Sequence, residues 1–198
     1  MKKIYIYGAS GHGIVVSDIA KACGYMEIQF IDDGNNNYRS FDEIKNFIDA
    51  PIALGIGQNK IRQKIFNMLE KYKLKIQTLV HPSAIIAETV HIGRGTVIMP
   101  LTVINANTSI GKGVILNSSS IIEHDNIINN FTHIAPKVAC AGHVMIGELT
   151  HLGIGTSVIQ KIHIGNSTII GAGSVVVNNI GNHCIAYGNP CKEKKENI

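Results

Sequence analysis

The sequence contains no Trp, and only 16% of its 198 residues are Asp, Glu, Lys or Arg, against 45% hydrophobic residues. That balance excludes intrinsic disorder and supplies a sizeable core for one large domain or two small ones. No apolar stretch approaches the roughly 20 residues of a membrane span. Lys2-Lys3 could open a signal peptide, but the glycines from Gly8 to Gly13 break the apolar run too early. Positive charge is scarce too. The formal net charge is +4, and the one basic run, Lys192, Lys194 and Lys195, is interrupted by Glu193 and followed by Glu196. This argues against a nucleic-acid footprint, while mild basicity suits a phosphate-bearing ligand. The four cysteines, Cys23, Cys140, Cys184 and Cys191, show no C-x-x-C spacing and read as free thiols in a reducing cytoplasm.

What is present changes character near residue 80. Residues 1–79 alternate apolar runs with helical patterns. Strands are expected at Ile4–Tyr7, Ile28–Ile31, Pro51–Ile56 and Ile76–Val80. Helices are expected at Ile14–Cys23 (with Val15, Ile19 and Ala22 on one face), Phe41–Ile48 and Asn59–Tyr72. Alternating strand and helix implies a small parallel sheet of the α/β class.

From Val80 onward the period is six. Every sixth position from Val80 to Val176 is Ile, Leu or Val, with the single exception of Cys140. Those three residue types make up roughly a third of residues 80–181, so chance predicts roughly six such matches along the series. The position four further on is Ala, Ser, Thr or Val in every hexad except those with Asn126, Ile162 and Ile180. Each hexad reads as a short strand plus a corner, with the aliphatic residue and the small residue both pointing inward. Gly or Asn just after the aliphatic residue is expected to supply left-handed backbone angles. Three hexads make one triangular coil, giving between five and six coils of a parallel β-helix. A period-two β-sandwich does not keep such a register.

The repeat resembles that of the hexapeptide-repeat acyltransferases, which are left-handed parallel β-helices. The segment Tyr187-Gly188-Asn189-Pro190-Cys191-Lys192 resembles their Gly-x-Pro-Ala-Lys ending, with Cys191 in place of Ala. The whole chain is more similar to the UDP-4-amino-sugar N-acetyltransferases of bacillosamine biosynthesis and to related sialic acid O-acetyltransferases. The segments that carry this are Ile4 to Gly13, Asp32-Asp33, Ile122-Glu123-His124-Asp125 and Cys140-Ala141-Gly142. The resemblance implies an α/β Rossmann-like half-domain (1–79) that binds a nucleotide sugar, then a left-handed β-helix (80–198) that binds acetyl-CoA. It implies a homotrimer with the CoA site between protomers, for which the flat walls of a triangular prism are suited.

The residues themselves point the same way. Gly8-x-x-Gly11-x-Gly13 follows a strand and opens a helix, so backbone N–H groups and the helix dipole can approach a phosphate. Asp32-Asp33 ends the next strand, where a carboxylate can accept hydrogen bonds from a ribose or base. About 80 residues cannot hold both halves of a dinucleotide domain, which favours a nucleotide sugar over NAD. The resemblance places the UDP-sugar at Ser10, Gly11, His12, Asp32, Asp33 and Gly57. His124 is two residues beyond the inward Ile122, so its ring should point outward, and Asp125 follows it. A neutral imidazole oriented by a carboxylate suits removal of a proton from an attacking amine. The resemblance likewise makes His124 the base and Asp125 the residue that raises its basicity, with His133, Gly142, Ile154 and Ala172 at acetyl-CoA. His133 should face outward on a flat wall with His151 one coil above it, and Asn117 is an outward corner residue near the sugar. Cys140 should be a small core residue rather than an acyl carrier, with the Gly142 N–H as oxyanion donor. The His-x4-His pair of hexapeptide-fold carbonic anhydrases is missing, and no metal cofactor is expected. Two other readings share these motifs: a sugar O-acetyltransferase, and a non-catalytic nucleotide-binding β-helix.

Overall fold

In β1 (Lys3–Tyr7) the residues Ile4 and Ile6 face one way and Tyr5 and Tyr7 the other, and all four are buried. Burial on both faces makes this the middle strand of a parallel sheet. The sheet has the order β2-β1-β3, with β2 at Glu27–Ile31 and β3 at Ile52–Leu54. Helices α1 (Gly11–Ala22), α2 (Phe41–Ile44) and α3 (Asn59–Lys71) connect or flank the strands. The structure is a computed structural model and describes residues 2–197.

Three details of this region differ from the sequence reading, the first being that α2 ends at Ile44 and does not reach Ile48. The buried face of α1 is Gly13, Val16, Ser17, Ile19 and Ala20, because Val16, Ile19 and Ala20 pack on Ile4, Ile6 and Leu79, whereas Val15 and Ala22 of the expected face are exposed. The expected strand at Ile76–Val80 divides. Ile76 makes a single bridge to Ile52, while Leu79–Val80 pairs with Val97–Ile98 and is the first strand of the solenoid.

Seventeen two-residue strands follow, one per hexad, from Leu79–Val80 to Val175–Val176. Each stacks in parallel on the strand three hexads on, as Ile115–Leu116 does on His133–Ile134. They form three walls. The first runs from Leu79–Val80 to Ile169–Ile170 and ends in the antiparallel hairpin Cys184–Gly188 and Cys191–Glu196. The second runs from Ile85–Ile86 to Val175–Val176, and the third from His91–Ile92 to His163–Ile164. The second residue of every strand points inward, and the column from Ile98 to Val176 is the solenoid core. Buried Thr side chains line the corners and bond carbonyls of the next coil, as Thr150 Oγ1 does to Gly165 O (2.6 Å). Buried hydroxyls are thereby satisfied.

The corner chemistry is not the expected one. The left-handed residue lies three positions after each aliphatic residue, and at every such position from Gly95 to Gly173 φ is between 52° and 72°. Leu101, Phe131, Lys137 and Leu149 occupy it as readily as glycine. The strain, about 1–2 kcal/mol per residue, is offset by the hydrogen bond that the residue's N–H donates to the coil below, as Asp125 N–H does to Ala106 O (2.9 Å). The glycines just after the aliphatic residue serve close stacking instead. A Cβ on Gly147 would lie 2.4 Å from the Asn166 nitrogen of the next coil.

The α/β region rests on the first wall. Leu79, Val97, Met99 and Ile115 of that wall are buried with Ile4, Ile6 and the inner face of α1. The outer faces of the second and third walls are left open, with Ile85, Ile121, Ile127 and Met145 exposed.

Candidate active site

The edge between the second and third walls carries His124, held out from the corner after Ile121–Ile122. His124 Nδ1 is 2.6 Å from Asp125 Oδ2. Asp125 Oδ1 accepts a hydrogen bond from Asn107 Nδ2 one coil below (3.2 Å), and its Oδ2 is 3.6 Å from His143 Nε2 one coil above. The hydrogen bond from His124, followed by that from Asn107, holds the Asp125 carboxyl below the usual carboxylate range. An ionised carboxylate only accepts, so the proton sits on Nδ1 and the free lone pair of His124 on Nε2. Gly142 stacks directly above, and a Cβ there would lie 2.7 Å from that Nε2. Among the described residues neither the backbone ladder nor a side chain takes the Gly142 N–H. The ligand atoms of His124, Asp125 and His143 all lie within 4.8 Å of one another.

A second group of predicted residues gathers where β1 and β3 end. Gly8 has φ +104°, and a Cβ on Gly13 would stand 1.9 Å from the Gly8 carbonyl oxygen. Glycine is therefore required for α1 to cross the strand ends this closely. Ser10 is the N-cap of α1 yet makes no side-chain capping bond, and Gln58, the N-cap of α3, makes none either. Two helix N-termini thus stay open toward one edge of the sheet, the arrangement that attracts a phosphate. Asp32 accepts from Ala9 N–H (2.7 Å), Gly34 N–H (2.8 Å) and Asn36 Nδ2 (2.8 Å). Burial raises its pKa, but these bonds outweigh it and the carboxyl lies below its ordinary value. Asp33 accepts from Tyr7 Oη (2.5 Å) and Phe41 N–H (2.8 Å). Both carboxylates shape the chain's own loop. Together with Tyr7, Gly8, Ile56, Ile61 and Ile65 they line a cleft of about 290 Å³.

Between the α/β region and the first wall lies a seam that the sequence did not disclose. Arg62 of α3 is 1% exposed and has carbonyl partners on both sides. Nε donates to Gly113 O (2.6 Å) and Nη2 to Phe131 O (2.8 Å) of the solenoid, while Nη1 donates to Gly57 O (2.9 Å) and Ile56 O (3.1 Å) of the loop after β3. Burial pushes its guanidinium down to about 9, so it remains charged at neutral pH. His133 belongs to this seam. Its Nε2 is 3.2 Å from Asn117 Nδ2, and its ring packs between His12 and His151. Burial lowers His12 to about 4 and His133 to about 3, with Arg62 nearby adding to both. The Nε2 of His12 is buried without a partner among the described residues. Gly57, Asn59, Lys60, His133 and His151 border a cleft of about 580 Å³.

Ile154 and Ala172 are exposed on a different edge, between the first and second walls, one coil apart. Cys140 is in the core, and burial pushes its thiol up to about 12. The sequence reading missed Arg62 and His143. Arg62 falls on a charged helix and looks solvated, whereas His143 had a signal in standing one full coil, three hexads, after Asp125.

Comparison with known proteins gives the context. Residues 3–69 match the family model of the PglD N-terminal domain. UDP-N-acetylbacillosamine N-acetyltransferase of Bacillus subtilis (strain 168) is 32% identical over 112 residues, a match that spans 49% of this chain and about half (51%) of that relative's length. The acetyltransferase domain of PglB from Neisseria gonorrhoeae FA1090 in complex with acetyl coenzyme A superposes with a TM-score of 0.92 at 32% identity, covering 98% of this chain and 99% of that one. PerB from Caulobacter crescentus in complex with CoA and GDP-perosamine gives 0.93 at 30% identity over 98% of each chain. With an α/β region that matches the PglD N-terminal domain over residues 3–69, and 32% identity to a sugar-acetyltransferase domain covered over 99% of its length, the chain belongs to the PglD-like family of hexapeptide-repeat sugar N-acetyltransferases.

Proposed function

We propose that the chain transfers the acetyl group of acetyl-CoA to the amino group of a UDP-linked 4-amino-4,6-dideoxy-N-acetylglucosamine. The observation that carries this is the His124–Asp125 hydrogen bond on an exposed edge, which leaves His124 Nε2 free beside Gly142. As the sugar amine attacks the thioester carbonyl, Nε2 takes the proton that the nitrogen must lose. Asp125 fixes the tautomer and stabilises the imidazolium. The Gly142 N–H receives the developing oxyanion, which collapses with departure of the CoA thiolate. Transfer is direct, because Cys140 is enclosed by the solenoid core.

Residues 1–79 hold the nucleotide sugar through Ser10, Gly11, His12, Asp32, Asp33 and Gly57, and the solenoid holds acetyl-CoA through His133, Gly142, Ile154 and Ala172. Gly142 and Ile154 stand on different edges of the prism, so one cofactor-sized ligand reaches both across a contact between two copies. The uncovered outer face of the second wall, with Ile85 and Ile121 exposed, supports a homotrimer that joins them. Four unpaired cysteines fit a reducing cytoplasm, and no helix among the described residues is long and apolar enough to cross a membrane.

The test is an acceptor panel: acetyl-CoA with the UDP-4-amino sugar, GDP-perosamine and free sialic acid, each followed by thiol release and by mass of the product. Acetylation of the UDP-amino sugar with the highest kcat/KM is expected. Transfer to a hydroxyl would instead establish an O-acetyltransferase, and no thiol release with any acceptor would leave a binding scaffold.

A further inference from the structure

His143 is not needed by the reaction just described, yet the fold aims it at the same carboxylate. The solenoid returns to the same corner position after three hexads, and both Asp125 and His143 occupy left-handed corner positions with φ 59°. Their side chains are thereby stacked, with His143 Nε2 3.6 Å from Asp125 Oδ2. His124 reaches that oxygen from the neighbouring corner residue, and the two imidazole rings meet edge to face at 5.4 Å. Two imidazole nitrogens and one carboxylate converge within 4.8 Å on the surface, on backbone that the coils above and below hold in place.

We propose that His124, Asp125 and His143 form a site for a divalent transition metal of the zinc type, which switches the enzyme off. Two nitrogens and one oxygen with an open side toward solvent suit a borderline ion such as zinc and not magnesium, which prefers an all-oxygen shell. The inhibition follows from the count of lone pairs on His124. A neutral imidazole has one ring lone pair. In the active tautomer Nδ1 carries the proton, given to Asp125, and Nε2 carries the lone pair. A metal held by Nδ1 takes up the ring's one lone pair there, so the single ring proton passes from Nδ1 to Nε2, which then donates and no longer accepts. The same ion occupies the carboxylate that would steady the imidazolium. The inhibitory half of this proposal rests on His124 being the base; the site itself does not.

Calorimetric titration of the full chain with zinc chloride, and separately with magnesium chloride, reads the site without turnover. Asn tolerates the left-handed corner, so His143→Asn keeps the fold while removing one ligand. One zinc per chain is expected, no magnesium, and about tenfold or greater loss of zinc affinity in His143→Asn. Acetylated sugar is then quantified by mass, since the thiol product itself binds zinc. Zinc should suppress wild-type turnover, EDTA should restore it, and His143→Asn should turn over in the presence of zinc. Absence of one-to-one zinc binding, or an unchanged affinity in His143→Asn, overturns the site. Binding that depends on His143 but leaves turnover intact upholds the site and overturns His124 as base.

Discussion

Gly142 lies one coil above His124, so a Cβ on residue 142 would stand 2.6 Å from Cε1 of the imidazole. The His124 ring is exposed and can swing away, so Gly142→Ala should leave thermal stability nearly unchanged. It should nevertheless lower kcat by about tenfold or more, because the ring loses its bond to Asp125 and its place beside the acetyl group. An alanine variant with wild-type kcat would show that this stacking has no part in the reaction.

His124→Ala should lower kcat by roughly 10²–10⁴-fold, the range for a positioned general base, with a small effect on the KM values. Asp125→Asn should cost less, since the base remains but its tautomer is no longer fixed. Steady-state kinetics of the two variants on the preferred sugar decides both points.

Two neutral histidines at the seam make stability depend on pH. Burial depresses His12 to about 4 and His133 to about 3, whereas an unfolded histidine titrates near 6.5. Between about pH 6.5 and 4 the unfolded chain binds protons that the folded chain refuses, so stability falls as pH drops through that window. Urea melts at several pH values should show this slope, and His133→Asn should reduce it by about one proton. An unchanged slope in that variant would place the titration elsewhere.

Arg62→Met should destabilise the protein by about 3 kcal/mol or more, because it strands buried carbonyls on both sides of the seam. The loop at Ile56–Gly57 loses its tie to the solenoid, so the nucleotide-sugar KM should rise more than the acetyl-CoA KM. Chemical denaturation together with the two KM values measures both effects.

Cys140→Ala should cost about 1 kcal/mol through a small cavity in the core and leave the turnover of folded enzyme unchanged. Mass spectrometry of enzyme quenched during turnover should find no acetyl group on Cys140.

The hexad register was legible because the residue that must point inward is Ile, Leu or Val almost without exception, and the register in turn placed His124 outside and Cys140 inside. The corner was misread because residues such as Gly111 and Gly147 look like turn glycines, whereas stacking against the next coil is what excludes their side chains. The outward position of His133 was legible too, but a period of six does not say which wall another region will cover. The α/β region covers the first wall, and His133 becomes a seam residue. Arg62 was invisible for a related reason: on a charged helix, only the tertiary partner distinguishes a buried cation from a solvated one.

The stacking of each strand on the one three hexads later makes the solenoid a ruler with two scales. Insertion of a single hexad between His124 and Gly142 would keep every aliphatic side chain inward, yet it would carry all that follows to the next wall and separate the two residues. Only a whole coil can be added without rotating the molecule's surface, and it lifts everything beyond it by one strand spacing, about 4.8 Å. The distance from the His124 edge to the closing hairpin therefore changes in steps of that size, and a ligand laid along the prism is measured in coils.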